Sequence, residues 1–351
     1  MTSFQLPPTI FPENAITRAE RSYQQHAAKK LPPLRAWISR TIMWLVITVS
    51  LIHFGGLFIA SLLQRDPTPI VRSLGALSVL LIVFTVYYHF YLMFQTIALT
   101  ANSITREKEA QTWELVVLTG INARQIVRGK WWATVQRQFS RYLLLGVMRA
   151  GATAAIGISV TASFYNASSS NNGTLQLPHA MTILISSCFG ILFTIANLGF
   201  SAACGVMGSA VSRRSSIAIL RGFVLQIVIT VVPALFLSVI FLPYLSTSQP
   251  TFIDSALQAI IWGIASAVDN GFNLLSFPLY VSFESYAIRP HAAIVPVTFD
   301  WIAAAILALI LYGLLIWFAL WRAERRAVRA LASEYQQDDH VDTSATYEDQ
   351  A

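Results

Sequence analysis

Charged residues are scarce in this chain of 351 residues. Only 12% of them are Asp, Glu, Lys or Arg, against about 25% in an average soluble domain, whereas 55% are hydrophobic. This balance excludes an ordinary soluble domain and indicates a membrane protein. The apolar runs are continuous and do not alternate with a period of two, which favours helical spans over the strands of a closed barrel.

Motifs that would carry chemistry are also absent. The two cysteines, Cys188 and Cys204, lie in one apolar run and indicate neither a disulfide nor a metal site. The sequence has no H-E-x-x-H pair, no nucleophile motif and no paired carboxylates at membrane depth. An ATP-binding loop is missing too, because Gly129 and Lys130 lack the upstream Gly and the following hydroxyl residue. We therefore expect no catalytic residue, metal or cofactor in this chain.

Six apolar runs are long enough to cross a bilayer as helices, which takes roughly 20 residues each. A further stretch, 252–288, breaks at Asn270 and Gly271 and predicts short re-entrant helices on the outer side, with two full crossings as the alternative. The predicted fold is all-α, with a transmembrane domain over 41–330 and a disordered, acidic cytoplasmic tail over 331–351. The predicted spans are 41–63, 73–99, 142–164, 180–211, 217–242 and 301–321.

Basic residues gather before the first span, between the second and third, and after the sixth. Cytoplasmic segments of membrane proteins carry an excess of Lys and Arg. Both termini are therefore predicted on the cytoplasmic side of a cell membrane that the chain crosses several times. The net charge of +7 then reflects orientation and contact with the lipid bilayer, and nucleic acid is not an expected partner. About forty polar and basic residues precede the first span, so no cleavable signal peptide is expected.

The cytoplasmic N-terminus, residues 1–40, contains a predicted amphipathic helix. Ile16, Ala19, Tyr23 and Ala27 form its apolar stripe, with basic residues around it. A helix of this kind lies in the headgroup plane of a membrane. The alternative is an ordinary basic flank.

The most informative segment is 104–130, ITREKEAQTWELVVLTGINARQIVRGK, which lies between spans two and three. Its periodicity predicts a helix that continues span two to near Gly120, and then a second helix capped by Asn122. A helical hairpin joined directly to two spans can transmit a push from a soluble partner into the membrane. The alternative is a solvated connector with helix-stabilising charge pairs.

This segment resembles the coupling region of ABC-2 transporter permeases: an acidic helix, a Thr and Glu pair, an apolar run, a turn, and a basic helix that ends in Lys. Gln111 stands where Gly is common in that family, and Gly120 where Pro is common. The N-terminal helix is similar to the family's connecting helix. The resemblance implies that a partner ATPase docks on Glu107, Glu109, Thr112, Glu114, Gly120, Arg124 and Lys130.

The same resemblance implies a permease subunit of an ABC exporter. Its ATP and Mg²⁺ would be bound by a separate ATPase subunit present in two copies, and a second permease chain, identical or related, would complete the complex. Family substrates include lipids, polysaccharides, drugs, peptides and ions, and the sequence does not choose among them.

Polar residues inside the spans are candidates for a substrate path, because spans two and five contribute to the central interface in the resembled family. Helix packing is the alternative for each of them. Gly199, Ala203, Gly205 and Gly208 are predicted to permit close helix contact. The candidate path residues are Tyr87, Tyr91, Gln95, Arg149, Gln226 and Thr230.

An ion-coupled secondary transporter is the competing function. Such a transporter normally needs carboxylates within its spans, and the six predicted spans contain none. His53 and His89 are the only ionisable imidazoles there, and they would have to carry the coupled proton.

Overall fold

Every element that the structure describes is an α-helix. The structure is a computed structural model, and it describes residues 15–27, 33–63, 68–112, 121–168, 180–212, 214–241 and 299–348. The seven helices in these ranges are α1 (Ala15–Ala27), α2 (Pro33–Leu63), α3 (Thr68–Glu109), α4 (Ala123–Ser168), α5 (Ala180–Val211), α6 (Ser215–Phe241) and α7 (Phe299–Glu348).

Four of these helices contain a segment that is long and apolar enough to cross a membrane, judged by length and composition. The chain is thus a helical membrane protein, as its composition predicts. The predicted third and fifth spans fall within α4 and α6, which are not among the four, and the predicted re-entrant stretch 252–288 lies outside the described residues. The four segments are Arg40–Leu63, Leu74–Glu109, Ile183–Val211 and Ala305–Val328.

Helices α3 and α4 are far longer than a membrane crossing requires. They contain 42 and 46 residues, which at 1.5 Å per residue gives lengths of about 63 and 69 Å, twice the roughly 30 Å of a hydrocarbon core. Their neighbouring ends, at Glu109 and Ala123, carry most of the charged side chains of the pair. We call this end of the bundle, with α1 and Trp321–Val328 of α7, the basic end.

Helix α5 lies at the centre of the bundle and packs against α3, α4, α6 and α7. Phe193 and Phe200 enclose the buried Tyr312 ring of α7 in edge-to-face contacts, with ring centroids 6.1 Å apart in both pairs. On its other sides α5 approaches α3 and α6 closely through glycine. A Cβ on Gly205 would lie 1.9 Å from Thr100 Oγ1, and one on Gly208 would lie 2.4 Å from the Ala218 carbonyl oxygen. The prediction of close helix contact at these two glycines is confirmed.

Helix α7 continues to Glu348, where a disordered tail was expected from position 331. A helix that is already formed propagates at little cost through residues with good helix propensity, and the segment from Ala330 to Tyr335 supplies Ala, Leu and Glu. Helix α2 likewise begins at Pro33, eight residues before the predicted span. Proline is favoured in the first turn of a helix because its missing N–H group needs no partner there.

We expect Gly205→Ala to destabilise the bundle by about 1–3 kcal/mol, because the new methyl group would overlap Thr100 and force α3 and α5 apart. The melting temperature of the detergent-solubilised protein measures this. Gly55→Ala is the matched control, since a Cβ at Gly55 meets nothing within 4 Å. Equal melting temperatures for the two variants would contradict the close contact.

Candidate functional site

The side chain of Lys130 is buried at the basic end, with 1% of its surface exposed. Its ammonium group donates to the Ser103 carbonyl oxygen and to the Glu107 carboxylate, both on α3. A carboxylate oxygen of Glu20, on α1, lies 3.9 Å away. Burial lowers the pKa of Lys130, and the carboxylates of Glu107 and Glu20 oppose that shift. One cation therefore joins α1, α3 and α4.

A polar face of α1 packs inward on this cluster. Thr17, Glu20 and Gln24 are buried and lie three or four residues apart, so they share one side of the helix. Gln24 Nε2 donates to Thr134 Oγ1 over 3.3 Å, and Arg137 Nη1 donates to the Gln24 carbonyl oxygen over 2.7 Å. Polar contacts thus fix α1 along α4.

The apolar stripe predicted for α1 is on the other side. Ala19 and Tyr23 are exposed and Ile16 is half-buried. The helix itself was predicted, but the sequence did not show that its polar face would be the buried one. That face is inward because it meets Arg106 of α3 and the buried Lys130 of α4; of the stripe, Ala19 and Tyr23 face outward, whereas Ile16 packs against the core. Arg106 lies over the Tyr23 ring, 3.4 Å from its centroid, and its Nη2 is 3.4 Å from Glu20.

Helix α3 ends at Glu109, eleven residues before the predicted end at Gly120. The Gln111 backbone has a φ of 54°, in the left-handed region that glycine favours. Thr112 N donates to the Glu107 carbonyl oxygen over 2.9 Å, and Gln111 N donates to the Lys108 carbonyl oxygen over 3.2 Å. These two bonds form the Schellman motif, which terminates a helix.

Helix α4 begins at Ala123, directly after the predicted cap. Asn122 Oδ1 accepts from Arg124 N over 3.0 Å, and the Asn122 carbonyl oxygen accepts from Gln125 N over 2.8 Å. The prediction of Asn122 as the N-cap is confirmed.

The predicted docking residues divide into internal and surface groups. Lys130 is buried and Glu107 is partly buried against it, so both act within the chain in this conformation. Glu109, Thr112 and Arg124 are exposed around the end of the hairpin. Glu114 and Gly120 lie outside the described residues.

Glu109 also links two helices. Its carboxylate accepts from Ser215 N over 2.8 Å and from Ser215 Oγ over 3.1 Å, at the first residue of α6. A carboxylate there is stabilised by the unpaired N–H groups and the dipole of the helix. The end of α3 is thereby attached to the start of α6.

The candidate path residues do not converge. Gln226 is buried, and its Nε2 donates to Asn197 Oδ1 and Ser201 Oγ of α5, over 3.1 and 2.8 Å. Thr230 is buried one turn later and donates to the Gln226 carbonyl oxygen. Gln226 therefore attaches α6 to α5, whereas Thr230 bonds only within α6.

Tyr87 and Tyr91, in contrast, are exposed on the surface of α3, with 66% of the Tyr87 surface accessible. Gln95, on the same helix, accepts from Arg141 Nη1 over 2.8 Å. Arg149 is fully buried in α4, and its Nη1 donates to Thr194 Oγ1 of α5 over 2.9 Å. The sequence required a partner or a cavity for Arg149, and the structure supplies an interhelical partner. The sequence did not identify Thr194 as this partner, because it is a hydroxyl residue within an apolar run.

The two histidines considered for proton coupling are both buried. His53 Nε2 lies 2.7 Å from Ser78 Oγ, and its Nδ1 lies 2.8 Å from the Val49 carbonyl oxygen, so this ring joins α2 to α3. His89 lies on α3, in edge-to-face contact with Phe90. Among the described residues no group of three or more His, Cys, Asp or Glu side chains is placed to hold a metal ion.

No protein-family model, curated protein or solved structure matches this chain. The class that the fold defines is a helical membrane protein with an ionic cluster within the chain, at one end of the described bundle. Any narrower assignment depends on the residues of the hairpin.

We expect Gln111→Gly to stabilise the protein by about 1 kcal/mol, because glycine adopts the left-handed conformation without the penalty that a Cβ brings. Thermal unfolding in detergent measures the change. Gln111→Ala is the control: it removes the same side chain but keeps the Cβ, so it should not stabilise. A gain in both variants would assign the effect to the side chain and not to φ.

We expect Lys130→Met to cost about 3–5 kcal/mol, because it leaves the carboxylates of Glu107 and Glu20 without their buried cation. The double variant Lys130→Met with Glu107→Gln should recover part of this loss, and a double-mutant cycle on unfolding free energies gives the coupling. Strictly additive losses would show that the pair is not coupled.

Proposed function

We propose that this chain is the membrane-spanning permease subunit of an ABC transporter, driven by a separate ATPase subunit. The observation that carries the proposal is the rigid connection of α3 and α4 beyond membrane length. The two helices extend together at the basic end, and Lys130 joins them through its bonds to Ser103 and Glu107. A hairpin of this kind can deliver the force of a soluble motor to two membrane helices at once.

The same end distributes that force to other helices. Helix α1 is held to the hairpin by Glu20 and Gln24. Glu109 attaches the end of α3 to the start of α6 at Ser215. A displacement of the hairpin would therefore move α1, α3, α4 and α6 together.

The proposed docking surface consists of segment 113–120, which lies outside the described residues, and the exposed side chains of Glu109, Thr112 and Arg124. The ion pair of Glu107 and Lys130 holds α3 to α4 at the described end of the hairpin. Two ATPase subunits, each binding ATP and Mg²⁺, would engage the hairpins of two permease chains.

The topology in this proposal has six spans and cytoplasmic termini, in a cell membrane. Helices α3 and α6 would contribute to the central interface, as the ABC-2 resemblance implies. Tyr87 and Tyr91 are exposed on α3, where a second permease chain or a substrate path would meet them. Export is the direction that the resemblance implies.

The proposal is tested by affinity purification of the tagged chain from its native membranes in mild detergent, followed by mass spectrometry. We expect a stoichiometric ATPase with a phosphate-binding G-x-x-x-x-G-K-[ST] loop to accompany the chain. Purification of the chain alone, under conditions that preserve a control complex, would contradict the proposal. The ion-coupled alternative would then be tested first, at His53 and His89.

The docking assignment has its own variant. Glu114→Lys reverses a charge in the proposed contact and should abolish ATPase association, while the permease remains inserted and monodisperse. Asp339→Lys, in the C-terminal segment, is the matched charge reversal and should leave association intact. Undiminished association of the Glu114 variant would overturn the assignment to this turn.

A further inference from the structure

A groove lined by tryptophan lies at the basic end, between α4 and α7, with α1 closing one side. Its volume is about 510 Å³. Trp131 and Trp132 contribute from α4, and Trp317 and Trp321 from α7. The Trp131 ring is fixed by its Nε1, which donates to the Gly199 carbonyl oxygen over 2.9 Å. The groove is thus apolar and has rigid walls on two helices.

One end of the groove is ionic. Glu324 of α7 is buried, with 7% of its side chain exposed, and its Oε1 accepts from Arg128 Nε over 2.7 Å. Arg124, one turn earlier on α4, has its Nε 3.9 Å from the other carboxylate oxygen. Both guanidinium groups thus turn the Nε side toward Glu324. The Arg128 and Arg124 side chains are 62% and 69% exposed, so both guanidinium groups are accessible to a ligand.

This geometry suits a phosphate ester. The buried carboxylate holds two guanidinium groups beside each other, and guanidinium groups bind phosphate oxygens through paired, charge-assisted hydrogen bonds. Tryptophan, with an apolar ring and a polar N–H, is the side chain that membrane proteins place at the level of the lipid headgroups. The ionic end and the apolar wall of the groove therefore match the phosphate headgroup and the acyl chain of a phospholipid.

We propose that the groove binds one anionic glycerophospholipid. Its phosphate would contact Arg128, with Arg124 beside it, and an acyl chain would lie along Trp131 and Trp317. The sign of the charge favours an anionic lipid over a zwitterionic one. Arg128 lines the groove and Arg124 reaches the same carboxylate, so two guanidinium groups beside the single carboxylate of Glu324 leave this end positive.

The proposal is independent of the transport function and is tested by native mass spectrometry. The purified, delipidated full-length chain is titrated with dioleoyl-phosphatidylglycerol and, separately, with dioleoyl-phosphatidylcholine, which has the same acyl chains. We expect the first complex to be roughly tenfold tighter, the effect of one charge-assisted contact. Equal affinity for the two lipids would overturn the choice of an anionic ligand.

Arg128→Gln removes the proposed phosphate contact and should lower phosphatidylglycerol affinity roughly tenfold. Arg221→Gln is the matched control: Arg221 is also an exposed arginine near a helix end, but it lies on α6 and contacts Ser212. It should change affinity by less than about twofold. Equal losses in the two variants would show that only the general positive charge attracts lipid, and the site would be rejected.

A second variant tests the apolar half. Trp317 is exposed, so Trp317→Ala should leave the fold unchanged by size-exclusion chromatography. It should weaken both lipids by a similar factor, because the acyl chain is common to them. Unchanged binding of both lipids would exclude this groove as the place where the chain lies.

Discussion

The ammonium group of Lys130 is the point on which the basic end depends. A buried charge is costly, and here the cost is offset by a carbonyl oxygen and two carboxylates that come from α3 and α1. Those groups can reach the ammonium only if the three helices are in register with one another. The residue therefore stabilises less by its own attraction than by making other arrangements of α1, α3 and α4 unfavourable. Glu20 could not be buried on α1 without this cation and Arg106 beside it.

Within the apolar part of the bundle a different constraint applies. Lipid is as apolar as the side chains, so burial alone does not bring helices together in a membrane, and close backbone contact and hydrogen bonds do so instead. Gly205 lets α5 approach Thr100 of α3, and Gln226 of α6 bonds to Asn197 and Ser201 of α5. Arg149 follows the same rule with Thr194. Three polar residues that looked suited to a substrate path, Gln95, Arg149 and Gln226, instead bond to neighbouring helices in this conformation.

The sequence predicted what depends on local pattern. The length of the apolar runs predicted a helical membrane protein. The short polar side chain of Asn122 predicted the start of α4, and small residues predicted the close contacts of α5. Features that depend on partners distant in sequence were not predictable. Lys130 was predicted to contact a partner ATPase, because Glu20 lies 110 positions earlier in the sequence and gave no sign of their contact. Thr194 is one hydroxyl in an apolar run until Arg149 is placed beside it. The inward polar face of α1 was missed for the same reason.

These two modes of packing suggest how the molecule could move without losing its structure. The bonds at the basic end are ionic and involve several helices, so the hairpin, α1 and the start of α6 behave as one body. The contacts deeper in the bundle are glycine packing and one or two hydrogen bonds between pairs of helices, so no ionic cluster joins several helices there. A force applied at the exposed end of the hairpin would therefore move the basic end as a unit. The helices would shift relative to one another farther along α3, α4 and α6. That order of stiffness fits the proposed role of a transport subunit on which an ATPase acts from one side of the membrane.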